Sequence, residues 1–107
     1  MGQPEYNNRD IEAMKSIISK QLRAARELRN LSVRKAAGKL GVSASYLSQM
    51  ESGQRRISLE LLFRAGSVYR VSLSALLGRE EIPGHKLGKK ILDFVAGYLE
   101  SPATNFS

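Results

Sequence analysis

The residues whose types and spacing suggest chemistry lie between Ser32 and Gly53, in the run SVRKAAGKLGVSASYLSQMESG. Ser32 and Ser43 each head a stretch of helical periodicity, and Gly41 separates the two stretches. Arg34 and Lys35 sit in the first stretch, while Gln54, Arg55 and Arg56 follow the second. Hydroxyls, small side chains and cations in this order are poorly equipped to make or break bonds. They are well equipped to lay one helix in the major groove of DNA while a second braces it against the phosphates.

Local physical chemistry supports two helices and a tight turn. The Ser32 hydroxyl can accept a hydrogen bond from a free first-turn amide, as an N-cap does. Val33, Ala36, Ala37 and Leu40 then form one apolar stripe, and the small Ala37 lets another helix cross closely. Gly41 can take the left-handed conformation that ends a helix. Val42 staples the next helix, which Ser43 caps. Leu47 and Met50 point inward from it. Ala44, Ser45, Ser48 and Gln49 form the opposite face, and Gly53 ends the helix.

Composition narrows the partner. The chain has 107 residues, room for a single modest core, and its 42% hydrophobic content is ordinary for a globular domain. The net charge is +7, and it is unevenly placed: residues 15–70 carry +9 and the remainder −2. Such a field attracts a polyanion. With no cysteine, the chain has no disulfide or thiolate metal site, which fits a reducing cytosol. No apolar run approaches the ~18 residues of a membrane span, and no signal core opens the chain. His85, the single histidine, has no cysteine or acidic cluster at ligand spacing. With no glycine-rich phosphate loop either, no enzyme, metal or cofactor is expected.

Periodicity places the remaining elements. Residues 1–8 read as a flexible arm. A long helix starts near Asn8 or Arg9, with Ile11, Met14, Ile18, Leu22, Ala25 and Leu28 on its apolar stripe. Asn30 can close it in a left-handed conformation. Ser58 caps another helix carrying Leu59, Leu62, Phe63 and Ala65, and Ser72 caps a short fifth with Leu73, Leu76 and Leu77. Residues 9–77 are thus expected to form an all-α, five-helix DNA-binding domain, with no strand of useful length. Residues 78–85, GREEIPGH, read as a linker or turn. Residues 86–101 can form one extra amphipathic helix, followed by a frayed tail at 102–107.

The segment from about Ile18 to Leu77 resembles the helix-turn-helix domain of the Cro and repressor proteins, the Xre family. The resemblance is carried by Ala37, GVS at the turn, YLSQMESG, ISLELL and VSLSALL in this order. It implies that the helix Ser43–Ser52 reads bases through Ala44, Ser45, Ser48 and Gln49. Glutamine can bond an adenine at two atoms, and Ala44 offers a methyl. It also implies a structural salt bridge between Arg26 and Glu51. By residue type, Ser32, Arg34, Lys35, Ser43, Tyr46, Gln54, Arg55 and Arg56 are the candidates for contacts to the DNA backbone.

On residues 86–101, Leu87, Ile91, Phe94, Val95, Tyr98 and Leu99 share one face. That stripe can fold back on its own domain, pair with a second copy, or dock another protein. The expected function is a sequence-specific, double-stranded DNA-binding transcriptional regulator: a repressor acting as a homodimer on a near-palindrome, cytoplasmic and associated with the nucleoid. The alternative is an antitoxin-like or partner-dependent interaction module using the C-terminal helix. Membrane binding is not expected.

Overall fold

A computed structural model describes residues 8–100. The arm, apart from Asn8, and the tail from Ser101 onward lie outside the described residues. Six helices follow in order: α1 Asn8–Leu28, α2 Val33–Leu40, α3 Ala44–Glu51, α4 Leu59–Tyr69, α5 Leu73–Leu76 and α6 Lys89–Leu99. The all-α expectation holds. Among the described residues the one departure is an isolated antiparallel bridge between Ile82 and His85.

Serine caps set the starts of four helices. The hydroxyls of Ser32, Ser43, Ser58 and Ser72 accept the amides of Lys35, Tyr46, Leu61 and Ala75 at 3.1, 3.0, 3.0 and 3.0 Å. Each such bond satisfies one of the orphan donors of a first turn. Gly41 ends α2 at φ +77°, and the Val42 amide turns back to the Ala37 carbonyl at 3.0 Å. Asn30, at φ +56°, ends α1 as its sequence position suggests.

The core forms where α1 packs on α3, α4 and α5, and α2 on α3 and α4. Leu22, Leu40, Leu47, Met50, Tyr69 and Leu76 fill its centre and are 0–1% exposed. Ala25, Ala36, Ala37 and Ala65 are buried at the crossings, where a larger side chain would force the helices apart.

Three features differ from expectation. First, the buried face of α1 is broader than the predicted stripe, whose Leu22 and Ala25 are fully buried with Ile18 and Leu28 packed against the core. Ile17, Ser19, Gln21 and Ala24 are buried, whereas Ile11 is 39% exposed. The cause is cover from later in the chain: the Gln21 amide donates to the carbonyls of Ala75 (2.9 Å) and Glu80 (3.1 Å).

Second, residues 78–85 are not a free linker. Ile82 is 1% exposed and joins the core cluster. Gly78, at φ +89°, lies between α1 and α6. A Cβ there would stand 2.6 Å from Ile17 Cγ2 and 3.3 Å from Val95 Cγ2.

Third, α6 is shorter than expected, and it folds back on its own chain, one of the alternatives its stripe left open. Val95 is 0% exposed, the Tyr98 hydroxyl donates to Asp10 of α1, and Arg79 pairs with Glu100. The helix begins at Lys89 rather than 86. The Gly88 and Leu87 amides reach the Glu81 carboxylate, at 3.0 and 2.6 Å, and hold it below the usual carboxylate range. Val95, a candidate interface residue on sequence grounds, is therefore spent on internal packing.

Candidate nucleic-acid interface

The unit α2–turn–α3 is built from the inside. Leu40, Leu47 and Met50 anchor both helices in the core, while the loop 41–43 joins them. On α4, Arg64 supports the turn: its Nη1 donates to the Leu40 carbonyl at 3.1 Å and lies against Gly41, and its Nη2 holds Glu60. Helical periodicity alone did not single out this arginine, because its partner is a backbone carbonyl 24 residues away.

The far end of α3 is locked to α1. Arg26 makes two parallel bonds to Glu51, Nε to Oε2 at 2.8 Å and Nη2 to Oε1 at 3.0 Å, and its Nη1 donates to the Leu31 carbonyl at 2.7 Å. The two side chains are only 10% and 5% exposed. The Glu51 hydrogen bonds raise the guanidinium pKa above its ordinary value, outweighing the burial that lowers it. This pair faces inward and cannot meet a base. Beside it the Tyr69 hydroxyl is buried without a hydrogen-bond partner among the described residues. Burial, with the negative charge of Glu51, pushes its pKa up to about 12.

The outward face of α3 exposes Ser45 and Ser48, with Ala44, Tyr46 and Gln49 half-buried beside them. Eight residues of helix span about 12 Å, comparable to the width of a B-DNA major groove. Exposed cations stand on either side: Arg34 and Lys35 on α2, Arg55 and Arg56 after α3. Ser32 and Ser43 are exposed but already serve as caps, so their hydroxyls are tied to Lys35 and Tyr46 amides.

The residues after α3 are more ordered than their composition suggests. Gly53 turns at φ +82°, and the Gln54 and Arg55 amides both return to the Gln49 carbonyl, at 2.8 and 3.2 Å. The Ser52 hydroxyl donates to the same carbonyl at 3.1 Å. The Arg55 side chain then lies over the Tyr46 ring, 5.0 Å from its centre, and donates from Nε to Gln49 Oε1 at 2.9 Å. Thus Tyr46, Gln49 and Arg55, separately named as backbone or base contacts, form one cluster. A cleft of about 590 Å³ next to it is lined by Lys15 and Lys20 of α1 together with Arg55 and Arg56.

Among the described residues no group of acidic, histidine or cysteine side chains could hold a metal ion. No described helix is long and apolar enough to cross a membrane.

Comparison with known proteins agrees with this geometry. A family model described as helix-turn-helix matches residues 22–76. An uncharacterised HTH-type transcriptional regulator of Mycobacterium tuberculosis is 39% identical over 61 residues, covering 57% of this chain and 44% of that protein. The chain therefore spans less than half the length of that relative. HTH-type transcriptional regulator DdrOP3 of Deinococcus deserti is 30% identical over 86 residues, 80% of this chain and 67% of that protein. The crystal structure of the clp gene regulator ClgR from Corynebacterium glutamicum shares the fold, with a TM-score of 0.55 at 23% identity over 81% of this chain and 77% of that one. With the family match and the α2–turn–α3 geometry together, this chain belongs to the helix-turn-helix family of the Xre/Cro type.

Proposed function

We propose that this chain is a sequence-specific, double-stranded DNA-binding transcriptional regulator that inserts α3 into the major groove. The observation that carries the reading is the outward face of α3, with hydroxyl and amide groups between two pairs of exposed cations. Ser45, Ser48 and Gln49 are the base-reading side chains and Ala44 contributes its methyl. Arg34, Lys35 and Arg56 bear on phosphates, as do the first-turn amides of α2 and α3 that the serine caps leave free. Both the mycobacterial relative and DdrOP3 carry names of transcriptional regulators, which favours the same role here.

The active species is a homodimer on a near-palindrome with half-sites about 34 Å apart, and it acts as a repressor by occluding a promoter. The surface offered to the second copy is the outer side of α1 and α6. Ile11 and Leu99 adjoin the hydrogen-bonded pair Asp10 and Tyr98 and are 39% and 37% exposed, and Phe94 is half-buried on the same helix.

Binding to a duplex across a salt series tests the DNA reading. Three cations per protomer, six per dimer, give a log–log slope of about −5. A slope shallower than about −2 would remove the groove-docked geometry.

A further inference from the structure

We propose that Arg55 is a positioning residue: it fixes the side-chain amide of Gln49 for base reading, with the Tyr46 ring as its seat. This rests on the reading of α3 as the helix that enters the groove. Tyr46 and Gln49 are one turn apart on the same face. Past the helix end, the left-handed Gly53 returns the chain so that the Arg55 amide meets the Gln49 carbonyl at 3.2 Å. Backbone and side chain of Arg55 thus both address the same residue, the latter at 2.9 Å.

The chemistry of the contact decides what it does. A guanidinium carries only donors, so the amide end it holds is the oxygen. A free glutamine amide turns end for end at little cost and then offers the opposite donor–acceptor pattern to a base. With Oε1 held by Arg55, Nε2 and the remaining lone pair are presented in one orientation only. Base discrimination by Gln49 therefore depends on Arg55, beyond any charge Arg55 offers to a phosphate. The planar guanidinium suits this role because it lies flat on the Tyr46 ring while aiming Nε sideways, which a compact ammonium does not do.

The test separates charge from positioning. The relevant base pair is the one whose preference Gln49→Ala abolishes in the full chain, measured by competition between duplexes differing at that position. Arg55→Lys keeps the charge, so the salt slope stays that of the wild type, while discrimination at that base pair falls by at least about fivefold. Tyr46→Leu has the same effect through loss of the seat. In the Gln49→Ala background, Arg55→Lys changes discrimination no further. Discrimination by Arg55→Lys within twofold of the wild type overturns the proposal. So does an equal loss of affinity for every duplex in both backgrounds. NMR of the free chain gives an independent arm: the Arg55 Nε–H signal is shifted by the Tyr46 ring and moves on Gln49→Ala. A wild-type chain that shows this signal but no base preference would sink the recognition reading and, with it, this role for Arg55. A chain with base preference but no such contact would sink the Arg55 proposal alone.

Discussion

Replacing Glu51 by alanine tests how the outward face of α3 is held. The substitution removes both acceptors from Arg26, whose side chain is 10% exposed and keeps only the Leu31 carbonyl at 2.7 Å. A guanidinium left in that position has lost its counter-charge without regaining water. Breaking a buried pair from one side costs about 3–5 kcal/mol, and the surviving bond to Leu31 puts this case near the low end, at about 3 kcal/mol. For a domain of this size, ~1 kcal/mol moves Tm by about 4–8 °C, so the melting point falls by more than about 10 °C. Thermal and urea unfolding followed by circular dichroism measure this. Well below the lowered Tm, DNA affinity stays within a few-fold of the wild type, because the pair touches no base. The double variant Arg26→Met/Glu51→Leu recovers most of the loss, since it leaves no charge stranded. A Glu51→Ala chain that melts like the wild type but binds DNA poorly would refute the reasoning, for it would make Glu51 part of the contact surface rather than its brace.

Further predictions follow from the same packing. Gly78→Ala puts a methyl 2.6 Å from Ile17 Cγ2 at a positive φ, so it loosens α6 from α1 and lowers Tm by several degrees; amide exchange rising first in residues 89–99 is the expected signature, and protection left intact there would contradict it. Tyr69→Phe deletes a buried hydroxyl that lacks a partner among the described residues, and raises stability by about 1 kcal/mol; a fall in Tm would mean that the hydroxyl is hydrogen-bonded after all. Leu99→Glu leaves the monomer as stable as before but shifts sedimentation toward the monomer and weakens operator binding; an unchanged dimer would move the interface away from α6.

The local signals in this sequence proved the most legible. Ser32, Ser43, Ser58 and Ser72 cap helices because a hydroxyl and an amide three residues apart need nothing else to meet. Gly41 and Asn30 end helices for an equally local reason, the tolerance of a positive φ. What escaped depends on residues distant along the chain. The face of α1 was misjudged at Ile17 and Gln21 because their cover comes from Val95, Ala75 and Glu80. The segment 78–85 looks like a linker by composition, yet Gly78 is there because two helices meet across it, and Ile82 because the core extends beneath it. For α6, a single apolar stripe was compatible with self-packing or with a partner. Val95 and Tyr98 are turned to α1, while Leu99 remains at the surface.

The candidate site divides in the same way. The small and polar face of α3 was readable from helical spacing, and the Arg26–Glu51 pair from the family resemblance. The coupling of Arg55 to Gln49 was not readable, since it runs through the left-handed Gly53 beyond the end of the helix, where periodicity carries no information. Arg64 escaped because its contribution is a bond to the main-chain oxygen of Leu40.

The most direct measurement is selection of bound duplexes from a random library by the purified chain at moderate salt, followed by sequencing. An enriched inverted repeat with half-site centres about one helical turn apart is the expected result, with its preference weakened at one position per half-site by Gln49→Ala. Salt-sensitive binding that enriches no motif would contradict it, and would reduce α3 and its flanking arginines to a general anchor on DNA.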